Sequence, residues 1–203
     1  MRCFEIATLM IGTDDVDEQA DQILELATTL RPEWILTNVM APVDDAVRAE
    51  FARCAGVISE SGARLAVEYL PWTPVRSATE ALELVRSVPN ARARVLPDTW
   101  HHFRGPDGWA ELDALPIDDI AYIQFDDALP MTLDDLVEET CHRRAFPGEG
   151  EFALGTYCEH LRAKGFDGVV SVEILNAEYR DMDIHEFARR AFDSTRRFWP
   201  ARP

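Results

Sequence analysis

Four apolar runs of the chain each end on a residue that can hold a cation or move a proton. "LAVEYL" carries Glu68, "VLPDT" Asp98, "IAYIQFDD" Gln124 and "VVSVEIL" Glu173. Three carboxylates gathered in one place beside an amide carbonyl would repel one another, raise one another's pKa and cost stability unless a cation or a partner compensates. A divalent metal does so directly. An oxygen-rich set suits Mn²⁺ or Mg²⁺ before a structural zinc, with Co²⁺ and Zn²⁺ also compatible. Any one of these residues could instead cap the next helix or meet a lysine or arginine; the recurrence in consecutive runs is what points to a site. Just past Asp98, "VLPDTWHHFRG" places Trp100, His101 and His102. His101 is positioned to hydrogen-bond a substrate or shuttle a proton, and His102 is expected to face solvent beside it. Trp100 would supply an apolar wall or simply pack. Arg144, in "RAFPGEG", could clamp a carboxylate or phosphate of a substrate, or pair at the surface with Glu149 or Glu151.

The elements that must carry these residues alternate regularly. Strand-like runs start near Phe4, Trp34, Leu65, Arg94, Ile120 and Val169. Most are spaced by about 30 residues, the size of a βα unit in a parallel sheet. Helical patterns lie between them. Val16 to Leu30 puts Val16, Ala20, Ile23, Leu24 and Ala27 on one face; a second helix runs from about Asp44, a candidate cap, to Ser61; further helices cover Ala78 to Val88, "ALGTYCEHLRAKG" and Ile184 to Phe198. The last interval is longer because it holds a loop from Asp127 to about Glu151, and long loops in compact domains are often functional. Six successive βα units fit either an open α/β sheet or most of a (β/α) barrel. "LMIGTDD" and "VMAPVDD" offer neither a dinucleotide fingerprint nor a P-loop, which favours the barrel, where strand C-termini converge on one face.

Composition narrows the classes. The 203 residues, 47% hydrophobic, suffice for one core and are read as one domain, 1–203. With 37 acidic against 20 basic residues, the formal charge of −17 opposes nucleic acid and anionic membrane surfaces. Cys3, Cys54, Cys141 and Cys158 form no C-x-x-C pair and are expected to be reduced. No apolar run approaches a membrane span, and "MRCFEIATLM" lacks a cleavable signal pattern, so the protein reads as cytoplasmic.

From about Phe4 to Phe198 the sequence resembles the xylose isomerase-like sugar phosphate isomerase/epimerase family of TIM barrels. The likeness rests on "VEYLP", "LPDTWHHFRG", "IAYIQFDDA", "HRRAFPGEGEF" and "LRAKGFDGVVSVEIL", in that order. It implies that Glu68, Asp98, Gln124 and Glu173 bind one divalent cation, and that the two glutamates flank the substrate carbon whose proton is moved. Members usually have histidine where this chain has Gln124, and glutamine there is more similar to the dehydratases acting on 3-dehydroshikimate. Family barrels have eight strands, and the motifs align as though this chain begins at the third, leaving six βα units. Such an arc has exposed edges, so the expectation is a shortened barrel, or a second copy or other partner that covers the gap.

Three functions stay open from the sequence. The first is an isomerase or epimerase acting on a small hydroxylated carbonyl substrate through an enediolate, with Glu68 and Glu173 exchanging the proton and His101 holding a substrate oxygen. The second is a lyase that expels a β-hydroxyl. The third is a non-catalytic binding or scaffold subunit derived from a barrel. The endonuclease branch of the resemblance, which uses several histidines and must approach DNA, fits neither the histidines nor the charge.

Overall fold

The computed structural model describes residues 2–88 and 92–200. β1 (Glu5–Ile11), β2 (Trp34–Val39), β3 (Arg64–Glu68) and β4 (Ala93–Leu96) pair in parallel in that order. Parallel bridges from Val95 to Ile120 and from Asp98 to Gln124 carry the pairing on to β5 (Ile123–Phe125). A short antiparallel hairpin, β6 (Asp127–Ala128) with β7 (Arg144–Ala145), then leaves the sheet before the chain returns as β8 (Val170–Val172), parallel to β5. The result is a parallel arc in the order β1-β2-β3-β4-β5-β8. Among the described residues β1 pairs only with β2 and β8 only with β5, so both edges of the arc are open.

Five longer helices cover the outside. α1 (Val16–Leu30) buries Val16, Ala20, Ile23 and Ala27, and ends where Arg31 turns into the left-handed region at φ 51°. α2 (Asp45–Ser59) is capped by Asp44, whose carboxylate accepts from Val47 N, and α3 (Ala78–Val85) by Ser77, which accepts from Glu80 N. After β4 come two short helices, α4 (Thr99–Arg104) and α5 (Trp109–Ala114). The stretch expected to be a loop from Asp127 to Glu151 contains the hairpin and a further short helix, α6 (Leu136–His142). Helices of six or seven residues are too short to show a hydrophobic period, so tertiary packing rather than intrinsic preference holds them. α7 (Leu154–Ala163) and α8 (Ile184–Phe198) complete the set, and no described helix is long and apolar enough to cross a membrane.

Strand alternation divides the interior in two. Ile35, Leu65, Val67 and Val95 belong to the core shared with the helices, alongside Phe51, Ala81 and Leu84. Their neighbours Trp34, Leu36, Ala66, Leu96 and Tyr122 form a second apolar cluster on the concave side of the arc. Complete burial of a side chain such as Leu96 contributes roughly 1.5–3 kcal/mol, so this plug is a firm floor. Side chains two positions apart on a strand share a face. Two residues beyond Leu36, Ala66, Leu96 and Tyr122 stand Asn38, Glu68, Asp98 and Gln124. The sequence of the strands thus lays an apolar floor and then a polar ring above it.

Candidate metal centre and active site

Glu68 ends β3, and Asn38 from β2 holds it: Asn38 Nδ2 donates to Glu68 Oε2 at 3.0 Å. Asp98, just past β4, caps α4, its Oδ1 accepting from His101 N at 3.0 Å. That cap turns His101 back over the strand ends. One ligand atom from each of Glu68, Asp98 and His101 lies within 4.8 Å of the others, and all three residues are buried. His101 Nε2 stands 3.3 Å from Glu68 Oε1, while its Nδ1 is buried without a hydrogen-bond partner. Gln124 N donates to Pro97 O at 2.9 Å, which seats Gln124 beside Asp98, and its buried Oε1 also lacks a partner.

Arg144, at the start of β7, crosses the site. It is 2% exposed, and its Nη1 lies 2.7 Å from Asp98 Oδ2, 2.7 Å from Asp126 Oδ2 and 3.2 Å from Glu173 Oε2. Thr99 fixes Asp126 through reciprocal hydrogen bonds to its backbone and carboxylate. One guanidinium therefore serves three carboxylates, with Glu68 adding a fourth nearby. The imbalance shows in their protonation. Burial works to raise Asp98, but Arg144 and His101 outweigh it and hold its pKa below the ordinary value. Burial, only partly offset by Arg144 and reinforced by Asp98, pushes Asp126 well above that value. Burial likewise lifts Glu173, whose side chain keeps 31% exposure, to about 8 against the pull of Arg144, with Glu68 and Asp98 adding to the rise.

Surplus buried acid, the unspent Gln124 Oε1 and the His101 Nε2 that faces Glu68 are what a divalent cation would need. The residues fit one. Of the expected set, the cluster itself joins Glu68 and Asp98, with His101 as the third member; Gln124 flanks it through the strand bridge and Glu173 through Arg144. Trp100 is buried edge-to-face against Trp72 and His101 at centroid distances of 6.1 and 5.4 Å, forming the wall behind the imidazole.

Two sequence expectations change. His102 does not face solvent: it is 3% exposed, packed among Phe103, Trp109 and Tyr157, because α4 turns it into the space above α7. Nor is Arg144 a surface partner of Glu149 or Glu151, which pair instead with Arg190 and Arg104. Asn38 and Asp126 were not singled out from the sequence. Both continue the two-residue step of the inner face, Asn38 from Leu36 and Asp126 from Gln124, and that period was the signal available for them.

The profile of the xylose isomerase-like TIM barrel family matches residues 18–198. The chain belongs to that family. An inosose isomerase of Halalkalibacterium halodurans is 24% identical over 194 residues, covering 91% of this xylose isomerase-like chain and 68% of the relative. A 3-dehydroshikimate dehydratase of Pseudomonas aeruginosa is 30% identical over 172 residues, covering 80% of this chain but only 26% of the relative. The solved structure of the IOLI protein with a bound zinc atom superposes with a TM-score of 0.84 at 20% identity, over 97% of this chain and 76% of that one. The arc of parallel strands is thus part of a TIM barrel, and relatives of the chain are enzymes.

Proposed function

We propose that the chain is a divalent-cation-dependent isomerase or epimerase that moves a proton beside the carbonyl of a small sugar or polyol. The observation that carries this reading is the buried cluster of Glu68, Asp98 and His101 at the strand ends, with the unpartnered Oε1 of Gln124 beside it. Glu68, Asp98, Gln124 and Glu173 would hold the cation, Mn²⁺ or Mg²⁺ first, Co²⁺ or Zn²⁺ as alternatives. Once bound, it would polarise the carbonyl and an adjacent hydroxyl and so stabilise the enediolate. Asn38 holds the Glu68 carboxylate in place, and Glu68 and Glu173 would exchange the proton, one taking it and the other returning it. His101 holds a substrate oxygen against the Trp100 wall, and Arg144 takes an oxygen at the other end of the substrate.

A lyase is the second reading, supported by the dehydratase relatives and by the resemblance to 3-dehydroshikimate dehydratases that Gln124 carries. It uses the same proton removal and then expels a β-hydroxyl as water. A panel of polyols, ketoses, inososes and 3-dehydroshikimate, run with Mn²⁺, separates the readings: isomerisation yields a new ketose or epimer, whereas elimination creates a conjugated chromophore. Glu173→Gln is expected to keep the circular dichroism spectrum and lower turnover by about 10³-fold. An unchanged rate would remove Glu173 from the mechanism. Tight Mn²⁺ binding with no turnover of any compound would favour a binding or scaffold subunit.

A further inference from the structure

A cation of the chain's own already stands in the site. Arg144 Nη1 is shared by Asp98 Oδ2, Asp126 Oδ2 and Glu173 Oε2, its Nε donates to Thr140 Oγ1 at 3.0 Å, and its Nη2 faces His101 Nε2 at 3.4 Å. Two of the three carboxylates, Asp98 and Glu173, belong to the ligand set of the divalent ion proposed above. The third does not. Asp126 is fully buried and tied by Thr99, so it cannot swing away to serve another partner.

We propose that Arg144 and the divalent cation are alternative counter-ions of Asp98 and Glu173, and that Asp126 is the fixed post on which the guanidinium stays when the ion takes those two carboxylates. The inference rests on the metal reading above. A guanidinium and a divalent ion drawing on the same carboxylates lie a few ångströms apart, and like charges at that distance in a buried site repel, so each weakens the other's hold on Asp98 and Glu173. The exchange leaves Arg144 beside the ion with donors released from Asp98 and Glu173. Those donors then face the substrate, so cation binding prepares the clamp for a substrate oxygen, and by reciprocity substrate favours the cation. Asp126 is a positioning residue in this scheme: it sets where Arg144 rests rather than touching substrate.

Electron paramagnetic resonance of free Mn²⁺ over the full chain gives the affinity directly. Arg144→Gln removes the competitor and is expected to bind Mn²⁺ about tenfold more tightly than wild type. Asp126→Asn leaves the guanidinium leaning wholly on Asp98 and Glu173, and is expected to lose about tenfold, with a smaller loss when Arg144 is already Gln. Binding by Arg144→Gln alone, with none by wild type, would be the extreme form of the same result. Equal or weaker Mn²⁺ affinity in a folded Arg144→Gln overturns the exchange while leaving the metal reading in place; no binding by either protein overturns both. Should Arg144→Gln not fold, because it strands buried carboxylates, wild type decides. The Arg144 side-chain nitrogen resonances of ¹⁵N-labelled protein should shift with Mg²⁺ and saturate at one ion per chain. Saturation of the site without change in those resonances overturns the proposal.

Discussion

At the scale of single residues, the site is organised by groups that touch one another rather than by the carboxylates alone. Asn38 is the example: its amide has its direct hydrogen bond to Glu68 and lies on the floor-to-ring step of β2. A hydrogen bond to a charged group contributes about 1.5–3 kcal/mol. Asn38→Leu should therefore lower kcat by roughly 10- to 100-fold while KM moves little, and steady-state kinetics would show the split. A raised KM with kcat unchanged would assign Asn38 to substrate binding instead. His102 makes a pH prediction. Burial lowers its pKa from 6.5 to about 4, against a pull upward from Glu111. The unfolded chain takes up a proton near pH 6.5 that the folded chain refuses until about pH 4, so this contribution to stability is complete above that window and lost as pH falls through it. Urea melts between pH 4 and 7 should show an acid limb, worth on the order of 2 kcal/mol, that flattens in His102→Phe.

At the scale of elements, the hairpin of β6 and β7 decides where Arg144 sits. Asp127 ties it down: its Oδ1 accepts from Ala128 N at 2.9 Å and Phe152 N at 3.0 Å, and its Oδ2 from Gly148 N at 3.0 Å. "PGEG" is thereby folded back against β6. Gly150 has no room for a side chain, since a Cβ there would overlap Ala128 O and Asp127 Oδ1, whereas a Cβ at Gly155 in α7 would meet nothing within 4 Å. Gly150→Ala should cost about 2 kcal/mol and reduce turnover by shifting the hairpin. Gly155→Ala should be neutral or slightly stabilising. Differential scanning calorimetry of the pair tests the contrast, and equal melting temperatures would show that the hairpin yields.

At the scale of the whole molecule, the arc has two free strand edges among the described residues, and β8 also faces a groove of about 540 Å³ lined by Val170, Val172, Phe192 and Trp199. None of Glu68, Asp98 and His101 lines this groove. Phe192 is 62% exposed there. Open edges beside apolar surface favour association, so light scattering at micromolar concentration should give a mass above one chain, and Phe192→Glu should bring it down. A single-chain mass for wild type would mean that the edges are protected by their own twist and flanking charge.

The sequence by itself determined the alternation of strands and helices and the four strand-end residues, because two- and 3.6-residue periods are written locally and every second strand position shares a face; the barrel class followed from the missing nucleotide-binding motifs and the family resemblance, not from the periods. The sequence also marked His101 and Arg144. Only the tertiary structure decided what those residues do to one another. That Asp98 both caps α4 and meets Arg144, that Asn38 supports Glu68 from the neighbouring strand, and that Asp126 and Thr99 lock together all depend on contacts between segments far apart in the chain. His102 faces inward for the same reason: one short helical turn, held by packing against α5 and α7, rotates it away from solvent. Periodicity says which face a side chain shares, and the closing of strands β2 to β8 into one arc says which groups meet there.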